Sequence, residues 1–137
     1  MIKILIICTG NSCRSQMAHG ILKSLLNEKA DIYSAGVAPE KVNPYAVSVM
    51  KEIGIDISKY QSNHVNEYSN LFFDYVFTVC DSARDKCSVH FQAKRSIHKS
   101  FFDPASSKGN KDEILSVYIT VRDKLSDYFL DFFRTKI

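Results

Sequence analysis

The sequence has few of the residues that form linkers, and it has no long apolar run. Among its 137 residues are only five glycines and three prolines, and it contains no Pro/Gly-rich stretch, internal repeat or low-complexity tract. Its apolar stretches are far shorter than the roughly 20 residues of a membrane span. The opening residues also lack the small-residue cleavage pattern of a signal peptide. We therefore expect one domain over residues 1–137, without membrane association.

A strong excess of charge of one sign is also absent. The formal net charge is +3, and lysine and arginine are scattered apart from short groups at residues 94–95 and 108–111. Nucleic-acid binding requires a concentrated basic surface, so no nucleic-acid partner is expected. Four cysteines without a secretion signal point to a reducing compartment, where thiols are structural, metal-bound or catalytic. We therefore expect a cytoplasmic protein.

Hydrophobic periodicity predicts strands alternating with helices. Strands are predicted at residues 2–7, 31–35 and 75–80, and the first is aliphatic apart from Lys3, as is typical of a strand buried on both faces. Helices are predicted at residues 15–28, 44–53 and 111–133, with a thinner pattern at 63–71. This alternation indicates an α/β fold with an open parallel sheet covered on both faces. Ligands of such sheets bind at the carboxyl ends of the strands, where Cys8 and Cys80 fall.

A polar loop, CTGNSCRS at residues 8–15, joins the first strand to the first helix. Such a turn directs backbone N–H groups into one concavity, and the helix dipole adds positive potential there. Arg14 supplies a charged fork, and the same field favours the thiolate of Cys8. We expect Gly10 to permit the backbone twist, Asn11 to hold the loop and Ser15 to donate a hydrogen bond to the Cys8 sulfur. The pattern predicts a nucleophile, Cys8, beside a tetrahedral oxyanion site formed by Thr9, Gly10, Asn11, Ser12, Cys13, Arg14 and Ser15.

Two further cysteines, Cys80 and Cys87, stand at the end of the third predicted strand and in the polar segment after it. They can be bridged if the segment between them is a helical turn that rearranges, and its basic residues favour a reactive thiol. One alternative is a zinc site formed by Cys80, Cys87, His90 and His98, although zinc ligand pairs are usually only about two to four residues apart. Another is that these cysteines, or Cys8 itself, are inert buried thiols.

An aspartate followed by proline, Asp103-Pro104, comes after an apolar approach late in the chain. Asp-Pro is an ordinary turn signal. Beside an oxyanion loop, however, a rigidly held aspartate is the expected general acid for a leaving oxygen. The four histidines are expected at the surface, with the last two in a loop, and no metal site is predicted: His19, His64, His90 and His98.

The order of these segments resembles the low-molecular-weight tyrosine phosphatase superfamily, and within it the thioredoxin-coupled arsenate reductases. The matching segments are CTGNSCRSQMA from residue 8, YSAG from 33, VNP from 42, IDIS from 55, FTVC from 77 and DPA from 103. The trio Cys8, Cys80 and Cys87 is the most specific part, because ordinary phosphatases of this fold have no need of a redox pair. The resemblance implies an open three-layer sandwich with a central, mainly parallel four-stranded sheet flanked by helices.

The resemblance also implies reduction of arsenate to arsenite, serving arsenic detoxification, through a relay of three cysteines. Cys8 attacks an arsenate held by Arg14, and Asp103 protonates the departing oxygen. Cys80 then attacks Cys8, arsenite leaves, and Cys87 moves the disulfide to Cys80–Cys87, where thioredoxin reduces it. No tightly bound cofactor is implied, and we expect a monomer. The alternative is a low-molecular-weight phosphatase that uses only Cys8, Arg14 and Asp103, and residual phosphatase activity is compatible with either reading.

Two departures from the family pattern concern a bound cation and the substrate. His19 replaces an acidic residue that helps some members to hold potassium near the loop, which argues against a cation site here. Where ordinary phosphatases usually have an aromatic residue after Asp-Pro to grip an aryl substrate, this chain has Ala105, Ser106 and Ser107. These small residues favour a small inorganic substrate.

Overall fold

Four parallel strands form one sheet in a computed structural model that describes residues 1–86 and 92–135, with the backbone alone at residues 85 and 86. The strands are β1 (Ile2–Cys8), β2 (Ala30–Gly36), β3 (Phe72–Thr78) and β4 (Gln92–His98), in the order β2-β1-β3-β4. β1 pairs with β2 along its whole length and with β3 from Ile4 to Ile7. The predicted sheet and the central place of the first strand are confirmed.

The sequence of β1 explains its central position. Its residues Ile4, Leu5, Ile6 and Ile7 are at most 1% exposed, so both faces of the strand are covered. Three of the four are β-branched and fit the extended backbone. Burial of each such side chain contributes roughly 1.5–3 kcal/mol. The strand therefore holds Cys8, its last residue, at a fixed place at the edge of the core.

Helices flank the sheet: α1 (Arg14–Leu26), α2 (Pro44–Glu52), α3 (Asp81–Lys86) and α4 (Lys111–Phe133). Asn43 caps α2, because its side-chain oxygen accepts hydrogen bonds from the N–H groups of Tyr45 and Ala46 at 2.8 and 3.2 Å. α4 begins with a capping box formed by Asn110 and Glu113. No helix within the described ranges is long and apolar enough to cross a membrane.

The aromatic stripe of α4 belongs to the core, as its helical spacing predicts. Tyr118, Leu125 and Phe129 are at most 1% exposed. The rings of Phe129 and Phe132 each lie edge-on to Phe77 of β3, with centroids 5.1 Å apart. α4 also packs against α1 and α2. The aromatic stripe is therefore covered by the sheet and the neighbouring helices.

Two sequence predictions of secondary structure are wrong. Residues 63–71 form only a 3-10 turn, Val65–Tyr68. Asn63, before the turn, is held extended by two hydrogen bonds of 2.8 Å. Its N–H donates to the side chain of Asn11, and its carbonyl accepts from the N–H of Gly36. The late segment that was expected to be a loop contains β4, which pairs with β3 from Gln92 to His98. β4 is an edge strand with mostly exposed, polar side chains, so it lacks the aliphatic run of a central strand.

Candidate active site

The loop between β1 and α1 turns its carbonyl groups away from the site. The backbone N–H groups of Ala38, Glu40 and Asn43 donate to the carbonyls of residues 9, 10 and 12 at 2.9, 2.7 and 2.8 Å. The side chain of Gln16 donates to the carbonyl of Asn11 at 2.9 Å. In a trans peptide the N–H points opposite to the carbonyl. The amides of the loop therefore face the other side, as an anion-binding concavity requires.

Asn11, rather than Gly10, has the left-handed backbone of the loop, with φ of 48°. The sequence interpretation assigned that role to glycine, but asparagine tolerates this conformation because its side chain bonds locally. Here its amide nitrogen donates to Ser15 Oγ at 2.8 Å and its oxygen accepts from Asn63 N–H at 2.8 Å. Glycine is needed instead at Gly36, where a Cβ would lie 2.5 Å from the carbonyl oxygen of Thr9.

Cys8 is buried, with 3% exposure, and its Sγ lies 3.0 Å from Ser15 Oγ. Because Ser15 Oγ already accepts a hydrogen bond from Asn11, its own hydrogen is available to the sulfur. A hydrogen bond donated to sulfur stabilises the thiolate, the nucleophilic form of cysteine. This is the arrangement that the sequence predicts for Ser15.

Arg14 and Asp103 face each other across the site. One guanidinium nitrogen of Arg14 donates to the carbonyl of Phe101 at 3.0 Å, and the other lies 3.8 Å from Asp103 Oδ2. The second carboxyl oxygen of Asp103 accepts from Ala105 N–H at 3.0 Å and caps the 3-10 turn Pro104–Ser106. The turn expected from Asp-Pro thus places the carboxyl beside the arginine, where it could protonate a leaving oxygen.

A pocket of about 130 Å³ opens at this point. It is lined by Cys8, Thr9, Gly10, Ser12, Cys13, Arg14, Glu40, Asp103 and Ala105. Two of the predicted oxyanion residues, Asn11 and Ser15, are fully buried behind the loop and support it. None of the described residues that line the pocket is aromatic, and its volume suits a tetrahedral oxyanion better than an aryl ester.

Cys13 differs chemically from Cys8 although both line the pocket. Burial is the main cause that raises the pKa of the Cys13 thiol far above its ordinary value, and the nearby Cys8 and Asp103 add to the effect against the opposing charge of Arg14. Cys13 is therefore a neutral thiol at physiological pH. A neutral thiol is a poor nucleophile.

Cys80 lies close to the nucleophile loop. It stands two residues beyond β3, is 3% exposed, and its Sγ is within 3.3 Å of Thr9 Oγ1 and of the N–H of Ala83. Thr9 directly follows Cys8, so Cys8 and Cys80 both lie at the carboxyl ends of neighbouring parallel strands. The segment after Cys80 forms α3, a helical turn of the kind that bridging Cys80 to Cys87 would require. Cys87 lies outside the described residues.

His98 belongs to β4 and bridges it to the start of α3. Its Nδ1 lies 2.7 Å from Thr78 Oγ1, and its Nε2 lies 2.8 Å from Asp81 Oδ1. The hydrogen bond from His98 is the main cause that lowers the pKa of Asp81. Both ring nitrogens are thus engaged, which disfavours the zinc alternative, whose other histidine, His90, lies outside the described residues. Among the side chains that the structure describes, at residues 1–84 and 92–135, no three His, Cys, Asp or Glu groups are arranged to hold a metal ion.

His19 is not a surface histidine, in contrast to the sequence prediction. The ring is half-buried, with Nδ1 2.8 Å from Ser34 Oγ and its centroid 4.8 Å from that of Tyr60. Burial, and secondarily Lys23, lowers the pKa of His19 to about 4. At physiological pH the ring is neutral, and with Ser34 it provides no negative charge that would attract a cation.

Some residues that shape the site carry no local signal in the sequence. Ser62 Oγ lies 2.7 Å from the carbonyl oxygen of Asn11 and also contacts that of Glu40, so its single hydrogen is shared between the two carbonyls. Glu40 reaches the pocket from the segment that follows β2. Both are remote from the loop along the chain, so no motif or spacing connects them with it.

Comparison with known proteins agrees with this architecture. Residues 3–125 match the family model described as low molecular weight phosphotyrosine protein phosphatase. Arsenate reductases of Oceanobacillus iheyensis and Bacillus subtilis are 40% and 39% identical over 132 residues, covering 96% of this chain and 95% of theirs.

Solved structures extend this agreement to the fold. A structure described as an arsenate reductase in the phosphate binding state has a TM-score of 0.79 at 28% identity, with 98% of both chains covered. A low molecular weight protein tyrosine phosphatase from T. tengcongensis has a TM-score of 0.78 at 26% identity, with 100% of both chains covered. The family match spans most of the chain and includes the Cys8 loop. The chain belongs to the low molecular weight phosphotyrosine protein phosphatase family.

Proposed function

We propose that this protein reduces arsenate to arsenite, with Cys8 as nucleophile and Cys80 as the second thiol. The observation that carries the proposal is the hydrogen bond between Cys80 Sγ and Thr9 Oγ1, which places a buried free thiol beside the nucleophile loop. A phosphatase has no use for a thiol at that place. The arsenate reductases that share about 40% identity with this chain support the choice of substrate.

The first step joins arsenic to sulfur. The Cys8 thiolate attacks arsenate held by Arg14 and the loop amides, a hydroxyl oxygen of the arsenate takes one proton from Asp103 and leaves as water, and a Cys8–arsenate thioester remains. Arsenic is still pentavalent. In the second step the Cys80 thiolate attacks the Cys8 sulfur, and the electron pair of the sulfur–arsenic bond stays on arsenic. Arsenite leaves, and the two electrons gained by arsenic come from the two thiols, now a Cys8–Cys80 disulfide.

The relay is completed by Cys87 and an external dithiol. Cys87 attacks the Cys80 sulfur, Cys8 leaves as a thiolate, and the disulfide passes to Cys80–Cys87. A reduced thioredoxin then supplies two electrons and two protons and restores both thiols. We propose a cytoplasmic monomer as the working form, since a reducing compartment supplies the reductant.

A phosphatase is the second candidate, because Cys8, Arg14 and Asp103 form a complete phosphate-cleaving set without Cys80. The small pocket, which has no aromatic lining among the described residues, disfavours aryl esters. The two candidate functions therefore differ in whether they require Cys80.

Arsenate-dependent oxidation of NADPH through thioredoxin reductase and thioredoxin tests the proposal. We expect turnover by the wild-type protein and none by Cys80→Ser, with any hydrolysis of an aryl phosphate retained by that variant. Cys13→Ser serves as the matched control, because Cys13 is a neutral thiol in the same pocket. Arsenate turnover that survives Cys80→Ser would contradict the redox proposal and favour the phosphatase.

The variant Cys87→Ser tests the last disulfide exchange within the chain, from Cys8–Cys80 to Cys80–Cys87. This variant should form at most one arsenite per protein molecule and accumulate the Cys8–Cys80 disulfide, which peptide mapping by mass spectrometry identifies. Sustained turnover by Cys87→Ser would show that Cys87 takes no part.

A further inference from the structure

Glu40 contributes a carboxylate to the oxyanion pocket. Its side chain lines the pocket, and a Cβ added to Gly10 would lie 3.5 Å from both Cδ and Oε2 of Glu40. The carboxylate therefore stands against the nucleophile loop. It has no part in the relay described above.

The backbone fixes the position of Glu40 although the residue is exposed. Its N–H donates to the carbonyl of Gly10 at 2.7 Å, and its carbonyl accepts from Ser62 Oγ. The same Ser62 hydroxyl bonds the carbonyl of Asn11. Glu40 is thus tied to the loop directly through its N–H, and its carbonyl contacts Ser62, which also contacts the loop.

The charges that line the pocket are unusual for a site that takes an anion. Arg14 supplies the only guanidinium among the described lining residues, and Asp103, 3.8 Å from it, is the acid that carries a proton in the proposed first step. In that step the negative groups of the pocket are the Cys8 thiolate and Glu40. A fully ionised anion would meet the Glu40 carboxylate with no proton between them, whereas an anion that carries a proton could donate its O–H to Glu40.

We propose that Glu40 selects tetrahedral oxyanions that retain a proton, arsenate and phosphate, over fully ionised ones such as sulfate. The inference deepens the proposed function and rests on its oxyanion pocket. Arsenate and phosphate keep at least one O–H group near neutral pH, and that group can donate to Glu40. Sulfate has none, so its oxygens would face the carboxylate without a hydrogen bond.

Rejection by an unpaired charge is a general route to specificity. The effect is smaller here than in a buried site, because Glu40 is exposed and solvent and salt screen its charge. We therefore expect about fivefold discrimination from this side chain, as is typical of an exposed charge pair.

Protection of Cys8 from iodoacetamide measures this selectivity without any redox reaction. The half-protecting concentrations of sodium phosphate and sodium sulfate are compared at neutral pH and constant ionic strength, with alkylation of Cys8 mapped by mass spectrometry. The proteins are the wild type, Glu40→Gln and Glu28→Gln. Glu28 is an exposed glutamate before β2, at the amino end of the sheet, so its substitution removes the same charge far from the pocket.

In Glu40→Gln we expect the half-protecting concentration of sulfate to be about fivefold lower than in the wild type, and that of phosphate to change less. In Glu28→Gln both concentrations should match those of the wild type. The proposal would be overturned if Glu40→Gln left the ratio of the two half-protecting concentrations unchanged, including the case in which both anions bind equally more tightly. It would also be overturned if Glu28→Gln changed that ratio in the same way. If phosphate does not protect Cys8 in the wild type, the oxyanion pocket itself is wrong. If the ratio changes as expected but arsenate is not reduced, only the proposed function fails.

Discussion

The half-buried ring of His19, with its lowered pKa, predicts that the stability of this protein depends on pH. Its Nδ1 is 2.8 Å from Ser34 Oγ, and its ring packs beside Tyr60. The informative perturbation is His19→Asn, because the asparagine amide reaches the place of Nδ1 and preserves a partner for the buried Ser34 hydroxyl. Asparagine does not titrate in this range, so the variant removes the pH dependence while it retains the hydrogen bond.

The magnitude follows from the two pKa values of His19, 6.5 for an ordinary histidine and about 4 in the folded protein. Because the folded pKa is the lower one, the unfolded chain binds the proton first as the pH falls. Stability is therefore unaffected above an ordinary histidine pKa, decreases as the pH falls through it, and stops decreasing below the folded value. Between about pH 7 and about pH 5 the loss from His19 is about 2 kcal/mol, since each pKa unit corresponds to about 1.4 kcal/mol.

Urea unfolding across this pH range, followed by circular dichroism, measures the effect in both proteins. The wild type should lose about 2 kcal/mol more than His19→Asn on acidification, whatever their difference at neutral pH. Titration of the His19 ring by NMR checks the cause directly, since its resonance should not shift until the pH is well below 6.5. Equal losses in the two proteins, or a His19 resonance that titrates like an exposed histidine, would refute the reasoning.

Three further predictions concern the loop and its support. Ser15→Ala removes the donor 3.0 Å from Cys8 Sγ, so the alkylation rate of Cys8 at neutral pH should fall about tenfold. Arg14→Lys keeps the charge but loses the planar fork, and kcat/KM for arsenate should fall by roughly two orders of magnitude. Gly36→Ala places a Cβ 2.5 Å from the Thr9 carbonyl oxygen, so urea unfolding should show a loss of about 2 kcal/mol, and phosphate should protect Cys8 less well.

Two matched variants serve as controls for the Ser15→Ala and Gly36→Ala measurements. Ser116→Ala, at an exposed position on α4, should leave the alkylation of Cys8 unchanged. Gly54→Ala introduces a side chain at a positive φ of 80° with no atom nearby, so it should destabilise the fold without weakening phosphate protection. The interpretation is wrong if Ser15→Ala is alkylated as fast as the wild type, if Arg14→Lys is fully active, or if Gly36→Ala retains normal phosphate protection.

Elements with strong periodicity were predictable from the sequence. Residues 4–7 of β1 are an aliphatic run of the kind that a central strand buries on both faces, and α4 keeps its apolar stripe over 23 residues. Residues 63–71 and β4 were not predictable. The start of the first segment, at Asn63, is held by Asn11 and Gly36, which are distant in sequence, and β4 owes its structure to backbone pairing with β3 rather than to its own side chains.

The Cys8 loop is determined by the sequence alone, because residues 8–15 are continuous and their spacing sets both the thiol and the arginine. The strand before it and the helix after it place the loop, whereas the bonds from Ala38, Glu40 and Asn43 to its carbonyls, which turn its amides the other way, come from the tertiary structure. The place of Cys80 beside Thr9, the burial of His19 and the arrival of Glu40 at the pocket depend on the tertiary structure. In each case the parallel strands and their connections bring together residues that are remote in sequence. Hydrogen bonds and burial there, rather than spacing along the chain, determine which side chains are in contact.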